Sequence, residues 1–194
     1  EYGYGSDGAK PINQSGALDN GQSNWGAKHD GSMVVQFDGV ERPYMDLGED
    51  LNDFFRTGTT FTNTLALSGG NDMHVYRFSA SHLDNEGIMP NSGFDKTQFA
   101  ANISGTYGKL SSQISGQYSK ENRLNPPRVS DTPGNGSYTA HILPKAISYA
   151  STKGTTDKLG ADENGFELNH LGTQWAQNSY WAAYQYYNER VRDR

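Results

Sequence analysis

The carboxylates between residues 29 and 50 are the densest group of side chains here that could do chemistry. Asp30 and Asp38 flank a short apolar run, His29 stands beside the first, and Asp46, Glu49 and Asp50 follow. Two carboxylates set across a sugar ring can run a glycosidase, one as acid and the other as base or nucleophile. The same oxygens can ligate calcium. Neither chemistry has its spacing, because no D-x-D-x-D-G loop is present; solvated, turn-capping aspartates account for the pattern. His141 and His170 have no ligand partners at recognisable spacing. A Gly-rich phosphate loop, a nucleophile elbow and an HExxH helix are absent, and without cysteine there is no thiolate nucleophile or metal site. No catalytic residue and no cofactor is expected. A net charge of −6 leaves no basic patch to neutralise phosphates, which argues against nucleic acid.

The elements that would have to position any site lie in the stretch 60–120. It reads as two hairpins, TFTNTLALS–GGND–MHVYRFSASHL and TQFAANISGTY–GK–LSSQISGQYS. Successive side chains on a strand point to opposite faces. Phe61, Leu65 and Leu67 therefore share a face opposed by Thr62 and Thr64. Tyr76, Phe78 and Ala80 oppose Val75, Arg77 and Ser79. Phe99, Ala101, Ile103 and Tyr107 oppose Asn102 and Ser104, and Leu110, Ile114 and Tyr118 oppose Gln113 and Gln117. One face is apolar and the other is small and polar. A soluble β-sandwich has this alternation too. Two features point to a transmembrane barrel: strands of about 9–11 residues, long enough to cross a bilayer at a steep tilt, and tyrosines at 76, 107 and 118 near strand ends, as in an aromatic girdle. The turns at 69–72 and 108–109 are short and the connection 82–96 is longer, the asymmetry of an outer-membrane barrel.

Hydrophobic content of only 34% with 23 glycines suits loop-rich β structure better than a large soluble core. No apolar run is long enough for a membrane helix, so any crossing must be by strands. Four strands cannot close a barrel, so the membrane reading makes this chain part of a larger protein. Residues 1–58 carry turn signals at Ser6-Asp7-Gly8, Asp19-Asn20-Gly21, Asp30-Gly31 and Asp38-Gly39. A short strand is expected over 33–37, an extended step at Arg42-Pro43-Tyr44 and a short helix over 47–55. Beyond Lys120 the alternation ends. Residues 138–150 are mixed and broken by Pro144, and 151–164 are polar and expected to be mobile. Residues 166–194 gather Trp175, Tyr180, Trp181, Tyr184, Tyr186 and Tyr187, as a short helix or a loop edge that either packs or offers a stacking platform for sugar or peptide.

Several longer stretches carry a family likeness: EYGYGSDG at 1–8, NWGAKHDGSMVVQFDGVERPY at 24–44, NDFFRTGTTFTNTLALSGGND at 52–72, YRFSASHLDNEGIMPNSGFDK at 76–96, NPPRVSDTPGN at 125–135 and NSYWAAYQYYNERVRDR at 178–194. In this order they resemble the SusC/RagA-like TonB-dependent transporters of the Bacteroidetes outer membrane. One departure is Asn178-Ser179-Tyr180-Trp181, where NPYW is expected. The resemblance implies an all-β fold: about four antiparallel strands of a 22-stranded, plugged transmembrane barrel with two long extracellular loop regions. Residues 1–58 would be the first loop region, 59–121 the barrel strands and 122–194 a long loop leading to the next strand. On that layout Phe61, Leu65, Leu67, Phe78, Phe99, Ile103 and Ile114 face lipid. Thr62, Thr64, Arg77, Asn102, Gln113 and Gln117 face the lumen, and Trp25, Asp38, Arg42 and Tyr44 face the ligand. The implied activity is import of oligosaccharides or peptides, without bond chemistry on the cargo. The implied partners are a SusD-like surface lipoprotein as lid, TonB acting through a plug outside this chain, and the lipid bilayer. Two alternatives stand beside it: a soluble secreted glycan-binding β domain with an aromatic platform at Trp181, and a glycosidase using Asp30 and Asp38.

Overall fold

A computed structural model describes residues 2–5, 7–19, 24–126, 128–130, 132–172, 176–186 and 190–193. The chain is mostly β, with a two-stranded and a five-stranded antiparallel sheet, and it divides into two compact units. Among the described residues no helix is long and apolar enough to cross a membrane.

One unit is the larger sheet. It contains β3 (Thr59–Gly70), β4 (His74–Glu86), β5 (Gly93–Tyr107), β6 (Leu110–Leu124) and the short β7 (Arg190–Asp193), in chain order. The turns set the register. Asn71 closes the first hairpin: its Oδ1 accepts from the Met73 and His74 N–H groups, both at 2.9 Å. Next to it Gly69 pairs with Tyr76, and a Cβ on Gly69 would lie 2.5 Å from the Tyr76 hydroxyl, so the ring lies where a side chain would be. The second turn is Gly108-Lys109, with Gly108 at φ 56°, the left-handed conformation that a two-residue hairpin turn with Gly first requires. The strands run 12–15 residues, longer than the alternation suggested. β4 and β5 continue through polar residues to Glu86 and from Gly93, which shortens the expected connection 82–96 to residues 87–92. β6 likewise runs past Lys120 to Leu124, placing Tyr118 inside the strand. These ends were missed because alternation needs one consistently apolar face to be visible, and there Leu83, Phe94 and Leu124 are scattered among polar residues.

The other unit joins residues 1–56, 88–91 and 127–188. The two segments expected as separate loop regions thus fold together. In this unit β1 (Met33–Val35) and β2 (Glu41–Pro43) form a hairpin turned at Asp38-Gly39: Gly39 has φ 78°, and Asp38 Oδ1 accepts from the Val40 N–H at 3.2 Å. Short helices α1 (Gln14–Asp19), α2 (Gly136–His141), α3 (Tyr149–Lys153) and α4 (Ser179–Trp181) surround two cores. The first holds Tyr4, Ala17, Val34, Phe37, Tyr44, Ala146 and Ile147; the second holds Phe54, Ala140, Tyr149 and Tyr180. Hydrogen bonds join the distant segments. Gln36 Nε2 donates to the Ala146 carbonyl at 2.6 Å, Leu47 N–H to the Lys145 carbonyl at 3.1 Å, and Tyr149 N–H to Glu49 Oε2 at 2.7 Å.

Three local expectations change. Residues 47–55 form only a 3-10 turn, Leu51–Asp53, boxed by reciprocal Asp50 and Asp53 caps. Residues 151–164 are held by structure: α3 reaches Lys153, whose carbonyl accepts from the Gly160 N–H at 2.8 Å. In the aromatic stretch, α4 continues into a π-helical turn, Ala182–Tyr186, and Tyr180 is core; Trp175 and Tyr187 lie outside the described residues, as do Ser6, Asn20 and Gly21 of the expected turns.

Phe54 touches Phe55, Tyr149 and Tyr180 at ring separations of 5.2, 6.1 and 5.1 Å. Truncating such a side chain costs about 3–5 kcal/mol. Phe54→Ala is therefore expected to lower amide-exchange protection in 136–153 and 178–186 together with 51–56. Loss confined to 51–56 would show that the two loop segments do not share a core.

Candidate functional site

The candidate surface is the long sheet itself. Directly paired residues lie on the same face, and the register places Phe61, Leu65, Leu67, Phe78, Phe99, Ile103 and Ile114 on one side. Thr62, Thr64, Arg77, Asn102, Gln113 and Gln117 lie together on the other. The apolar side is uncovered: Leu65 is 77% and Ile114 70% exposed. The polar side is laced by short hydroxyl contacts, Thr64 Oγ1 donating to Ser81 Oγ at 3.1 Å and Thr106 meeting Ser111 at 3.3 Å.

The apolar patch is cut obliquely. Leu65, Ala80, Phe99 and Tyr118 form one registered row, the limit of the patch on β4, β5 and β6 away from the turns. On β3 the patch goes on to Phe61, whose partner Asp84 lies four residues beyond Ala80. At the turn end the patch stops at Gly69 and Tyr76 on β3 and β4 but reaches Tyr107 and Leu110 on β5 and β6, four residues past Ile103, the partner of Tyr76. Four residues at about 3.3 Å each, over three strand spacings of about 4.8 Å, make a slope of about 40°. Strands of a transmembrane barrel tilt by about 35–45° from the membrane normal. A flat slab of lipid would mark tilted strands with this kind of oblique band. Aromatic side chains sit at its limits, Tyr76 and Tyr107 at the turn end and the stacked Phe99 and Tyr118, 6.5 Å apart, at the other.

Beyond the band the apolar face turns polar, while the other face mixes Leu83 and Phe94 with charged residues. Lys96 and Arg123 pair with Glu121 at 2.8 and 3.0 Å on the small-polar face. On the apolar face His82 Nδ1 lies 3.0 Å from Thr97 Oγ1, and Asn122 Nδ2 donates to Asp95 at 2.7 Å. Sequence reading missed this end of the sheet; its only trace is the continued run of strand-compatible polar residues.

The loop candidates separate. Trp25 is 81% exposed and presented to solvent. Tyr44 is fully buried, its hydroxyl donating to the carbonyls of Tyr4 at 2.8 Å and Ala27 at 3.1 Å, so it holds the core and does not line a surface. Its aromatic type suggested contact with a ligand, but only the fold could show that the ring points inward. Arg42 forms a two-pronged pair with Asp38, at 2.7 and 2.6 Å, and also donates to Gln36 Oε1 at 3.2 Å. That network staples the β1–β2 hairpin. Asp30 accepts from Lys10 Nζ and the Ser32 N–H, and those hydrogen bonds hold its carboxyl down at about 2. Both carboxylates considered for glycosidase chemistry thus have structural partners. Among the described residues no cluster of His, Cys, Asp or Glu could hold a metal ion.

Asn178 is a residue that motif reading undervalued. It is fully buried; Oδ1 caps α4 by accepting from the Tyr180 and Trp181 N–H groups, and Nδ2 donates to the Thr152 and Leu168 carbonyls at 2.7 Å. Glu167 Oε1 accepts from the Asn178 backbone N–H at 2.5 Å. Burial outweighs that bond and raises the Glu167 carboxyl to about 7. His170 is buried against Phe37, and burial lowers it to about 4. No protein-family model and no curated protein matches the chain.

The two shifts act in opposite directions. Glu167, raised above its unfolded value, stabilises the fold fully below pH 4.5 and loses that contribution as pH rises through about 7. His170, lowered, contributes fully above pH 6.5 and loses that as pH falls through about 4. Glu167→Gln keeps the acceptor and removes the charge. With part of the shift screened by solvent, this unit is expected to gain about 1–2 kcal/mol at pH 8 and nothing near pH 4.5, read by amide exchange over 160–180. A pH-independent effect would rule the buried charge out as the cause.

Proposed function

We propose that the long sheet is a section of the wall of an outer-membrane β-barrel, in a transporter of the SusC/RagA-like, TonB-dependent kind. The observation that carries the reading is the oblique apolar band on a single-layer sheet. An apolar face this large is rarely left in water by a monomeric soluble protein. A sandwich would cover it with a second layer, and the described residues of this unit supply none. A bilayer covers it without one, and it demands what the sheet has: lateral backbone pairing, an apolar outer face and a polar inner face. The barrel is the 22-stranded, plugged type that the resemblance implies. Its small polar face, with Thr62, Thr64, Arg77, Asn102, Gln113 and Gln117, lines the lumen.

In this reading the protein sits in the outer membrane and imports nutrient oligosaccharides or peptides without altering them. The unit formed by residues 1–56, 88–91 and 127–188 corresponds to the extracellular loops that meet a SusD-like surface lipoprotein and the cargo. TonB acts through a plug that these residues do not include. Of the ligand candidates, Trp25 remains available by its exposure, while Asp38 and Arg42 shape the hairpin beside it in sequence.

These 194 residues contain no cysteine, so with any cysteine elsewhere in the full-length protein replaced by serine, single labels can be placed cleanly. Single cysteines at Leu67, Ile103, Asn102 and Gln113 of the full-length transporter, each carrying an environment-sensitive fluorophore, are compared in liposomes with and without nitroxide-labelled lipid. Labels at 67 and 103 are expected to be blue-shifted and quenched, and those at 102 and 113 to be neither. Equal quenching at all four positions would remove the barrel-wall assignment.

A further inference from the structure

We infer that Tyr2 and Trp25 are the aromatic walls of a saccharide subsite, with Asn24 as its polar contact, and that the cargo is an oligosaccharide and not a peptide. The inference rests on the transporter reading for there being a cargo, and on the side chains of this unit alone for the binding chemistry.

The subsite is built where the chain near Gly3 and Gly8 pairs with residues 24–28. Gly3 N–H donates to the Ala27 carbonyl, Gly26 N–H to the Gly3 carbonyl and Gly8 N–H to the Trp25 carbonyl, each at 3.0 Å. Isolated bridges join Tyr2 to Lys28 and Gly5 to Asn24. The approach is close: a Cβ on Gly26 would lie 2.5 Å from the Tyr4 carbonyl oxygen, and one on Gly3 would lie 2.6 Å from the Tyr44 hydroxyl. Tyr4 and Tyr44 belong to the first core, so the core fixes this pairing. Two rings stand on it uncovered, Tyr2 at 58% exposure and Trp25 at 81%. With Gly8, Asn24 and Gly26 they line a hollow of about 600 Å³, a size that suits a small-molecule site. Gly8 keeps it open, since a Cβ there would meet nothing within 4 Å.

The residue types select the ligand. A pyranose ring has a face of C–H bonds and a rim of hydroxyls. Exposed Trp and Tyr offer the C–H face a large, rigid contact at low cost in conformational entropy. The amide of Asn24 carries both a donor and an acceptor, which is what a hydroxyl needs. Lys28 Nζ, 5.7 Å from the Tyr2 ring centroid, adds a donor at the margin. A peptide is served less well. Extended peptides are held largely by main-chain hydrogen bonds, and the backbone groups of Gly3, Gly8, Trp25, Gly26 and Ala27 named above are already spent on each other. Among the described residues lining the hollow there is also no carboxylate to receive an amino terminus.

Full-length protein, extracted in mild detergent, is mixed in turn with neutral hexasaccharides of glucose, xylose, galactose and mannose, and with a tryptic digest of casein. Saturation-transfer difference NMR reads which solute touches the protein and through which protons, and calorimetry gives the affinity. At least one hexasaccharide is expected to bind with its ring C–H protons most strongly saturated, and an excess of the peptides is expected not to displace it. Trp25→Ala should weaken that sugar about tenfold, and Tyr2→Ala and Asn24→Ala severalfold, while Trp25→Phe keeps most of the affinity. Val129→Ala, at an equally exposed apolar residue outside the hollow, should change nothing. Failure of every hexasaccharide to bind, sugar binding indifferent to Trp25→Ala, or peptide binding that is lost in that variant would overturn the inference and leave the transporter reading standing. Full-length protein absent from the membrane fraction would instead remove the transporter reading, whatever the sugar result.

Discussion

The long sheet has a single layer, and most of its properties follow from that. Backbone pairing between neighbouring strands satisfies its peptide groups laterally, so the sheet needs no second layer for hydrogen bonding. It does need something apolar against one face. Leu65, Leu67, Phe78, Phe99, Ile103 and Ile114 find no protein cover among the described residues, and the outline of their patch is oblique to the registered rows. A globular core makes no such oblique cut, because it has no plane to cut with. A lipid slab crossing tilted strands has one.

The second unit solves the opposite problem. Its pieces are rich in glycine and turn residues, and both clusters draw on both pieces. Tyr4, Val34 and Tyr44 from one piece and Ala146 and Ile147 from the other complete a single cluster, and Phe54 is completed by Tyr149 and Tyr180. Closing so long an excursion is not prohibitive, since the entropy of loop closure grows only logarithmically with length. The shared cores keep these long connections ordered, and Asn178 and Gln36 serve as buried polar ties between backbones that have no sheet to join them.

Much of the sheet was legible in the chain because a strand's period is two: once Phe61, Leu65 and Leu67 are read as one face, Thr62 and Thr64 must occupy the other. The hairpin turns were legible because Gly69 to Asp72 and Gly108-Lys109 carry the residues that such turns require. The candidate loop site was much less so. A tyrosine at 44 and a tryptophan at 25 are equivalent as aromatic residues met in a list, yet one is buried and the other almost fully exposed. Asp38 and Arg42, four apart across an Asp-Gly turn, pair with each other, a contact that the ligand-facing reading did not include.

The sequence by itself determined the alternation, the turn positions and the two chemically distinct faces, because these depend on neighbours one or two residues away. Tertiary structure alone decided the rest: the oblique limits of the apolar band, the aspartates brought face to face at 84 and 95, the burial of Tyr44 and Asn178, and the common cores of segments about a hundred residues apart. Each of these depends on register or on long-range packing. A shift of a single residue in register would turn every side chain of a strand to the other face, and no local pattern of residues states which long-range partner completes a core.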